Sequence, residues 1–132
     1  MPTVVHPTHA TVLVVDDQDD LREAMCRILE RQGFQVLAAR DAAEAEALCT
    51  RGDAAIDVLL TDLSMPAANG GDLARVVSDK RPGLRVVYVS GLPRETAIDH
   101  GLLRAEDHFV QKPFTSASLV GAVREALRPS RR

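Results

Sequence analysis

The sequence predicts an α/β fold: a doubly wound, five-stranded parallel sheet with helices on both faces, a three-layer sandwich. Three observations carry this. Short apolar runs alternate with amphipathic segments five times along 132 residues. The runs are continuous and rich in Val, Leu and Ile rather than alternating, the pattern of strands buried on both faces. Each parallel connection needs a crossover, so strand–helix alternation implies helices that cover the sheet by right-handed crossovers. The length suits one domain, which holds a core without disulfides or metals. The expected domain runs over residues 10–128, between an N-terminal extension at 1–9 and a tail at 129–132.

The elements follow in order. Thr11-Val12-Leu13-Val14-Val15 is the first strand and ends in acids. Leu21, Met25, Ile28 and Leu29 then share one helical face. Asp19 or Asp20 is expected to cap that helix, and Gly33 suits its stop. Residues 35–39 form the second strand, and Asp41 caps a short Ala-rich helix to about Cys49. Residues 50–53 are a loop. Residues 57–61 are the third strand, with Asp62 at its C-terminal end. Pro66, Asn69, Gly70 and Gly71 mark a loop. A helix over 72–80 stops at Pro82 and Gly83. Residues 85–89 form the fourth strand, ending at Ser90 and Gly91. Between Pro93 and Asp107 the apolar stripe is weak: residues 94–99 suit a helix, and Gly101 interrupts it. Residues 108–111 are a short fifth strand. Ser116 is expected to cap a last helix with Leu119, Val120, Val123, Ala126 and Leu127 on its face, ended by Pro129.

Composition narrows the function classes. The formal charge is −3, with 45% hydrophobic, 27% charged and 3% aromatic residues. The balance is globular, not disordered. No apolar run approaches membrane-spanning length, and the first ten residues lack the pattern of a secretory leader. Slight acidity and few aromatics argue against direct nucleic-acid binding. Cys26 and Cys49 show no CxxC spacing and read as two buried thiols of a cytoplasmic domain. His6 and His9 read as part of a solvated extension, and Arg131 and Arg132 as a solvated tail.

In an open α/β sheet, ligands bind beyond the carboxyl ends of the strands. The first strand delivers Asp16 and Asp17 there, the third Asp62, the fourth Ser90 and the fifth Lys112. Three neighbouring carboxylates repel one another, and one lysine does not balance them. A divalent cation does, and hard oxygen donors suit Mg²⁺. One carboxylate is then placed to attack a phosphoryl group whose charge the cation and Lys112 neutralise, with Ser90 donating to a phosphoryl oxygen. Taken singly, the Asp pair is as readily a helix cap, Asp62 a turn residue, Lys112 a loop lysine and Ser90 a cap. Their joint occurrence at one rim favours a site. An aromatic on a buried strand such as Phe109 usually serves packing.

Four pieces carry a family resemblance: Val14-Val15-Asp16-Asp17, Leu60-Thr61-Asp62-Leu63-Ser64-Met65-Pro66, Val89-Ser90-Gly91 and Phe109-Val110-Gln111-Lys112-Pro113-Phe114. Together, in this order and spacing, they resemble the receiver domain of bacterial two-component response regulators, the CheY-like fold, over about residues 10–127. The resemblance implies the strand order 2-1-3-4-5. It implies that Asp62 is the phosphoacceptor, charged by a sensor histidine kinase or a histidine phosphotransfer protein. It implies Mg²⁺ (or Mn²⁺) held by Asp17, Asp62 and the Ser64 backbone carbonyl, with Asp16 acting mainly through water. Lys112 would contact the phosphoryl group. Ser90 and Phe109 would be the switch pair, and Lys112–Pro113 a cis peptide. The implied partners are the kinase and a downstream protein or fused domain, with a phosphorylation-dependent homodimer as a further form. The protein would be a signalling module, not an enzyme beyond self-catalysed phosphotransfer and slow autodephosphorylation.

There are departures. The usual Ala-rich fourth helix is replaced around His100-Gly101-Leu102-Leu103, so the segment is expected to be poorly helical, similar to receivers joined to hybrid histidine kinases. Ser64 and Leu92 occupy the positions that the family uses to set phosphoryl lifetime. Leu92 cannot orient a water, which favours a long-lived phosphoryl group. Two rival readings remain. A phosphorylation-independent pseudo-receiver usually loses an acid, the hydroxyl or the lysine, and none is lost. An aspartyl phosphatase would use Asp17-Gln18-Asp19 as a DxD motif, but the following residues and the chain length do not suit it.

Overall fold

The computed structural model describes residues 10–51, 55–64 and 70–129. The strands are β1 (Thr11–Val15), β2 (Gln35–Ala39), β3 (Val58–Asp62), β4 (Arg85–Ser90) and β5 (His108–Gln111). The helices are α1 (Asp19–Arg31), α2 (Ala42–Arg51), α3 (Gly70–Lys80), α4 (Arg94–Asp99) and α5 (Ser116–Leu127). The sheet is parallel throughout, in the order β2-β1-β3-β4-β5. Fold class and strand order are as the sequence predicts. The loop expected at 50–53 does not include Thr50 and Arg51, which belong to α2; residues 52–54, the segment 65–69 with Met65, Pro66 and Asn69, the extension with His6 and His9, and residues 130–132 lie outside the described residues.

Alternation along each strand divides the core in two. Val12, Val14, Val58, Leu60, Val87, Val89 and Val110 face α1 and α5, meeting Met25, Leu29, Leu119, Val120 and Val123. Leu13, Val15, Leu59 and Tyr88 face α2, α3 and α4, meeting Ala45, Cys49, Leu73, Val77 and Ala97. β1 and β3 are buried at every position, which explains their unbroken apolar runs. Burying a Leu or Val side chain contributes about 1.5–3 kcal/mol, so each of these central strands contributes substantially to stability.

The helix ends correct several expectations. Neither Asp19 nor Asp20 caps α1. The N-cap is Gln18, with no side-chain bond. Asp19 lies inside the first turn, where its carboxylate accepts from Arg22 at 2.7 Å and suits the positive helix end. Gly33 does end α1, at φ 95°. Asp41 caps α2 as expected, accepting from the Glu44 N–H at 2.8 Å, while Glu44 accepts from the Arg40 N–H at 2.8 Å. These two bonds fix the start of α2, and the helix runs to Arg51. α5 is capped by Thr115, not Ser116: Thr115 and Ser118 exchange side-chain and backbone bonds of 3.0 Å. Ser116 is one residue too late, already within the helix. Cys49 is buried, but Cys26 is only half-buried, because it sits at the edge of the α1 face.

The weak segment after β4 is helical only over Arg94–Asp99. His100 closes it, and Gly101 takes φ 75°, a left-handed geometry that favours glycine. Ala97 is its one buried residue, so α4 is a short plug rather than a full covering helix.

Candidate functional site

The β-ladder continues one residue past the strands and so fixes the rim. The Asp16 N–H donates to the Ala39 carbonyl at 3.2 Å. The Leu63 N–H donates to Val89 at 2.8 Å, and the Lys112 N–H to Ser90 at 2.8 Å. The residues after β1, at the end of β3 and after β5 are thereby held by sheet hydrogen bonds rather than by loops.

Asp16, Asp17 and Asp62 converge, each offering a carboxylate oxygen within 4.8 Å of the others. Asp16 and Asp62 are buried, and Asp17 faces solvent. Lys112 Nζ donates to Asp62 Oδ2 at 3.0 Å. It stands 3.6 Å from Asp16 Oδ2, an ion pair too long for a hydrogen bond. Asp62 Oδ1 accepts from the Ser64 N–H at 3.0 Å. Asp16 Oδ1 accepts from the Gln18 N–H at 2.8 Å. Burial pushes the Asp16 carboxyl above the usual carboxylate range. The Gln18 N–H and the Lys112 charge oppose that rise, and the Asp62 and Asp17 charges add to it.

Asp16 Oδ2 is buried with no hydrogen-bond partner among the described residues. A buried carboxylate oxygen without a donor is costly. Here it lies in a cluster of three carboxylates with one ammonium. A divalent cation with bound water would supply both the missing charge and the missing donor. The donor set is all oxygen, which suits Mg²⁺ or Mn²⁺ over softer metals.

Ser90 is buried at the end of β4, and its Oγ accepts the Leu92 N–H at 3.0 Å. This hydroxyl therefore caps the next turn. Phe109 pairs with Tyr88 in register, which puts it on the same sheet face as Ser90, half-buried against the core that holds Tyr88, Ala97 and Leu103. The Lys112–Pro113 peptide is cis.

Gly70 is a site residue that the sequence did not mark as one. It begins α3 directly against Asp62, and a Cβ there would overlap the Asp62 carbonyl oxygen and sit 3.1 Å from Thr61 Cγ2. Its N–H donates to the Leu63 carbonyl at 2.9 Å. The Gly70-Gly71 pair was legible only as a loop marker, because close approach needs the third dimension.

Three convergent carboxylates and an ammonium on the rim of a 2-1-3-4-5 parallel sheet point to the receiver class of signalling domain. The comparisons agree. The model of the response regulator receiver domain family matches residues 12–124, and the chain belongs to that family. It is 30% identical over 118 residues to the sensor kinase CckA of Brucella abortus, covering 89% of this chain and 12% of that protein. It is 33% identical over 119 residues to the transcriptional regulatory protein CpxR of Escherichia coli K12, covering 90% of this chain and 50% of that protein. A response regulator receiver protein from Sinorhizobium medicae has a solved structure that superposes with a TM-score of 0.78 at 32% identity, over 90% of this chain and 94% of that one. The chain thus spans half or less of the length of these two curated relatives. Both a sensor kinase and a transcriptional regulator are similar to it, so the likeness marks a signalling module shared by different outputs. No helix among the described residues is long and apolar enough to cross a membrane.

Proposed function

We propose that Asp62 accepts a phosphoryl group from a phosphohistidine on a sensor kinase or phosphotransfer protein. The observation that carries this is the convergence of Asp16, Asp17 and Asp62 with Lys112 bonded to Asp62. An Asp62 carboxylate oxygen attacks phosphorus, the P–N bond breaks, and its electron pair stays on the imidazole. Asp17, Asp62 and the Ser64 carbonyl would hold Mg²⁺ or Mn²⁺, with Asp16 acting through bound water. When bound, the cation neutralises charge on the transferring oxygens. Lys112 follows the charge from carboxylate to phosphoryl oxygen. Ser90 turns its hydroxyl to a phosphoryl oxygen, and Phe109 moves into the space behind it. The surface of α4, β5 and α5 then changes for a downstream protein, a fused domain or a second copy of the chain. Residues 10–128 are the functional unit, acting as a signalling module in the cytoplasm. Leu92 beside the site offers no polar group to orient a hydrolytic water, which favours slow loss of the phosphoryl group.

The test uses a small phosphodonor with Mg²⁺. The expected product is an acid-stable, alkali-labile acyl phosphate, formed by the parent and absent from Asp62→Asn. No product from the parent overturns the proposal and leaves a phosphorylation-independent scaffold. Equal labelling of Asp62→Asn overturns the assignment of Asp62.

A further inference from the structure

We propose that Arg94 is a positioning residue that holds Phe109 at rest and ties its release to Ser90. This rests on the reading of Ser90 and Asp62 given above. The guanidinium carbon of Arg94 stands 5.9 Å from the centre of the Phe109 ring. Arg94 Nη2 donates to the Ala105 carbonyl at 2.6 Å and to the Asp107 carbonyl at 3.0 Å. Both hydrogens of that nitrogen are thus committed to the turn just before β5. The turn is itself braced: Asp107 Oδ2 accepts the Arg104 N–H at 2.9 Å, and the Asp107 N–H donates to the Arg104 carbonyl at 3.0 Å. Among the described residues Arg94 forms no ion pair, so its full charge faces the ring quadrupole.

The link to Ser90 runs through four residues. Ser90 is fixed at its backbone by β4 and by the Lys112 N–H on its carbonyl. Its free motion is rotation of the hydroxyl, and that hydroxyl holds the Leu92 N–H. Leu92 leads through Pro93 to Arg94, the first residue of α4. Turning Ser90 Oγ toward a phosphoryl oxygen on Asp62 removes the acceptor from Leu92. The short connection at 91–93 then relaxes, and Arg94 is carried off the Phe109 ring. α4 is short, with Ala97 buried and Ile98 partly packed on the core, so the main restraint on that movement is the Arg94 grip itself. The device makes the resting arrangement the favoured one and taxes the arrangement that binds a phosphoryl group.

Beryllofluoride with saturating Mg²⁺ is the probe, followed by amide NMR on the full chain. Removing a tax on the competent state raises apparent affinity by the same factor. Arg94→Ala is expected to bind beryllofluoride about three- to five-fold more tightly than the parent, the scale of one exposed cation–ring contact. Arg94→Lys keeps the charge without the two-carbonyl grip and is expected to fall between them, which guards against a folding defect in the alanine variant. In a Phe109→Ala background, Arg94→Ala is expected to change nothing, because the latch has no ring to hold. An equal effect of Arg94→Ala in both backgrounds, or no effect in either, overturns the latch while the phosphoacceptor reading stands. A parent that fails to bind beryllofluoride overturns the phosphoacceptor reading and the latch with it.

Discussion

Gly70→Ala sets two physical effects against each other, and their magnitudes decide the sign. Gly70 begins α3, where alanine is the better helix former by at most about 1 kcal/mol. Propensity alone therefore predicts stabilisation. The added methyl, however, would overlap the Asp62 carbonyl oxygen and press on Thr61 Cγ2 at 3.1 Å. Neither neighbour yields easily. The carbonyl belongs to β3, a central strand paired on both sides, and Thr61 is fully buried. Relieving the contact needs movement on the order of 1 Å in close-packed surroundings, and overpacking of this kind costs about 3 kcal/mol at its upper end. The net expectation is a loss of about 2 kcal/mol. With a urea slope of about 1.5 kcal/mol per molar, the midpoint falls by roughly 1.3 M. Far-UV circular dichroism reads the transition, since the chain has no Trp. Gly121→Ala is the matched control: it lies in α5 with nothing within 4 Å of an added Cβ, and should gain about 0.5–1 kcal/mol. A Gly70→Ala protein as stable as the parent, or two variants that shift the same way, would refute the steric reasoning.

Asp16→Asn should stabilise the metal-free protein more at pH 7 than at pH 4, by urea midpoints. Burial raises the Asp16 carboxyl, so the native state binds its proton more tightly than the unfolded chain does. That contribution is fully present below the unfolded value near 3.9 and is lost as pH climbs through the raised native value; equal pH dependence of parent and variant contradicts it. Mg²⁺ should raise the thermal midpoint of the parent but not of Asp17→Asn, and an unchanged response in the variant would remove Asp17 from the ligand set. Thr115→Ala should cost about 1 kcal/mol in urea unfolding through loss of the α5 cap, whereas Ser116→Ala should lie within about 0.5 kcal/mol of the parent.

The central strands were legible because burial on both faces leaves an unbroken apolar run that nothing else in a chain this size explains. The rim residues were legible for a related reason: charged groups that end such runs have only one edge of the sheet to occupy. Ser90 and Phe109 could be placed on the sheet, but their contacts could not, since both depend on how the segment after β4 folds back. The Asp41 cap was legible, but the caps of α1 and α5 failed by one residue or by rotamer. Asp19 and Gln18 compete for the start of α1, and the Asp19 side chain found Arg22 instead. Thr115 and Ser116 carry the same hydroxyl, and only the reciprocal bond with Ser118 distinguishes them. Gly70 and Arg94 act through neighbours distant in sequence or on a separate element, which composition and periodicity do not encode.

The bond from Lys112 to Asp62 has a kinetic consequence. The ammonium already grips the nucleophile before any donor arrives, at 3.0 Å. An attraction expressed equally in the ground state and the transition state does not lower a barrier. In the proposed transfer Lys112 accelerates formation of the acyl phosphate only by the excess of its pull on the phosphoryl oxygens over its pull on the bare carboxylate. Its fuller effect falls on the product, where it has left the carboxylate for the more highly charged group. In that transfer the lysine would therefore favour the acyl-phosphate product at equilibrium more than it would speed its formation.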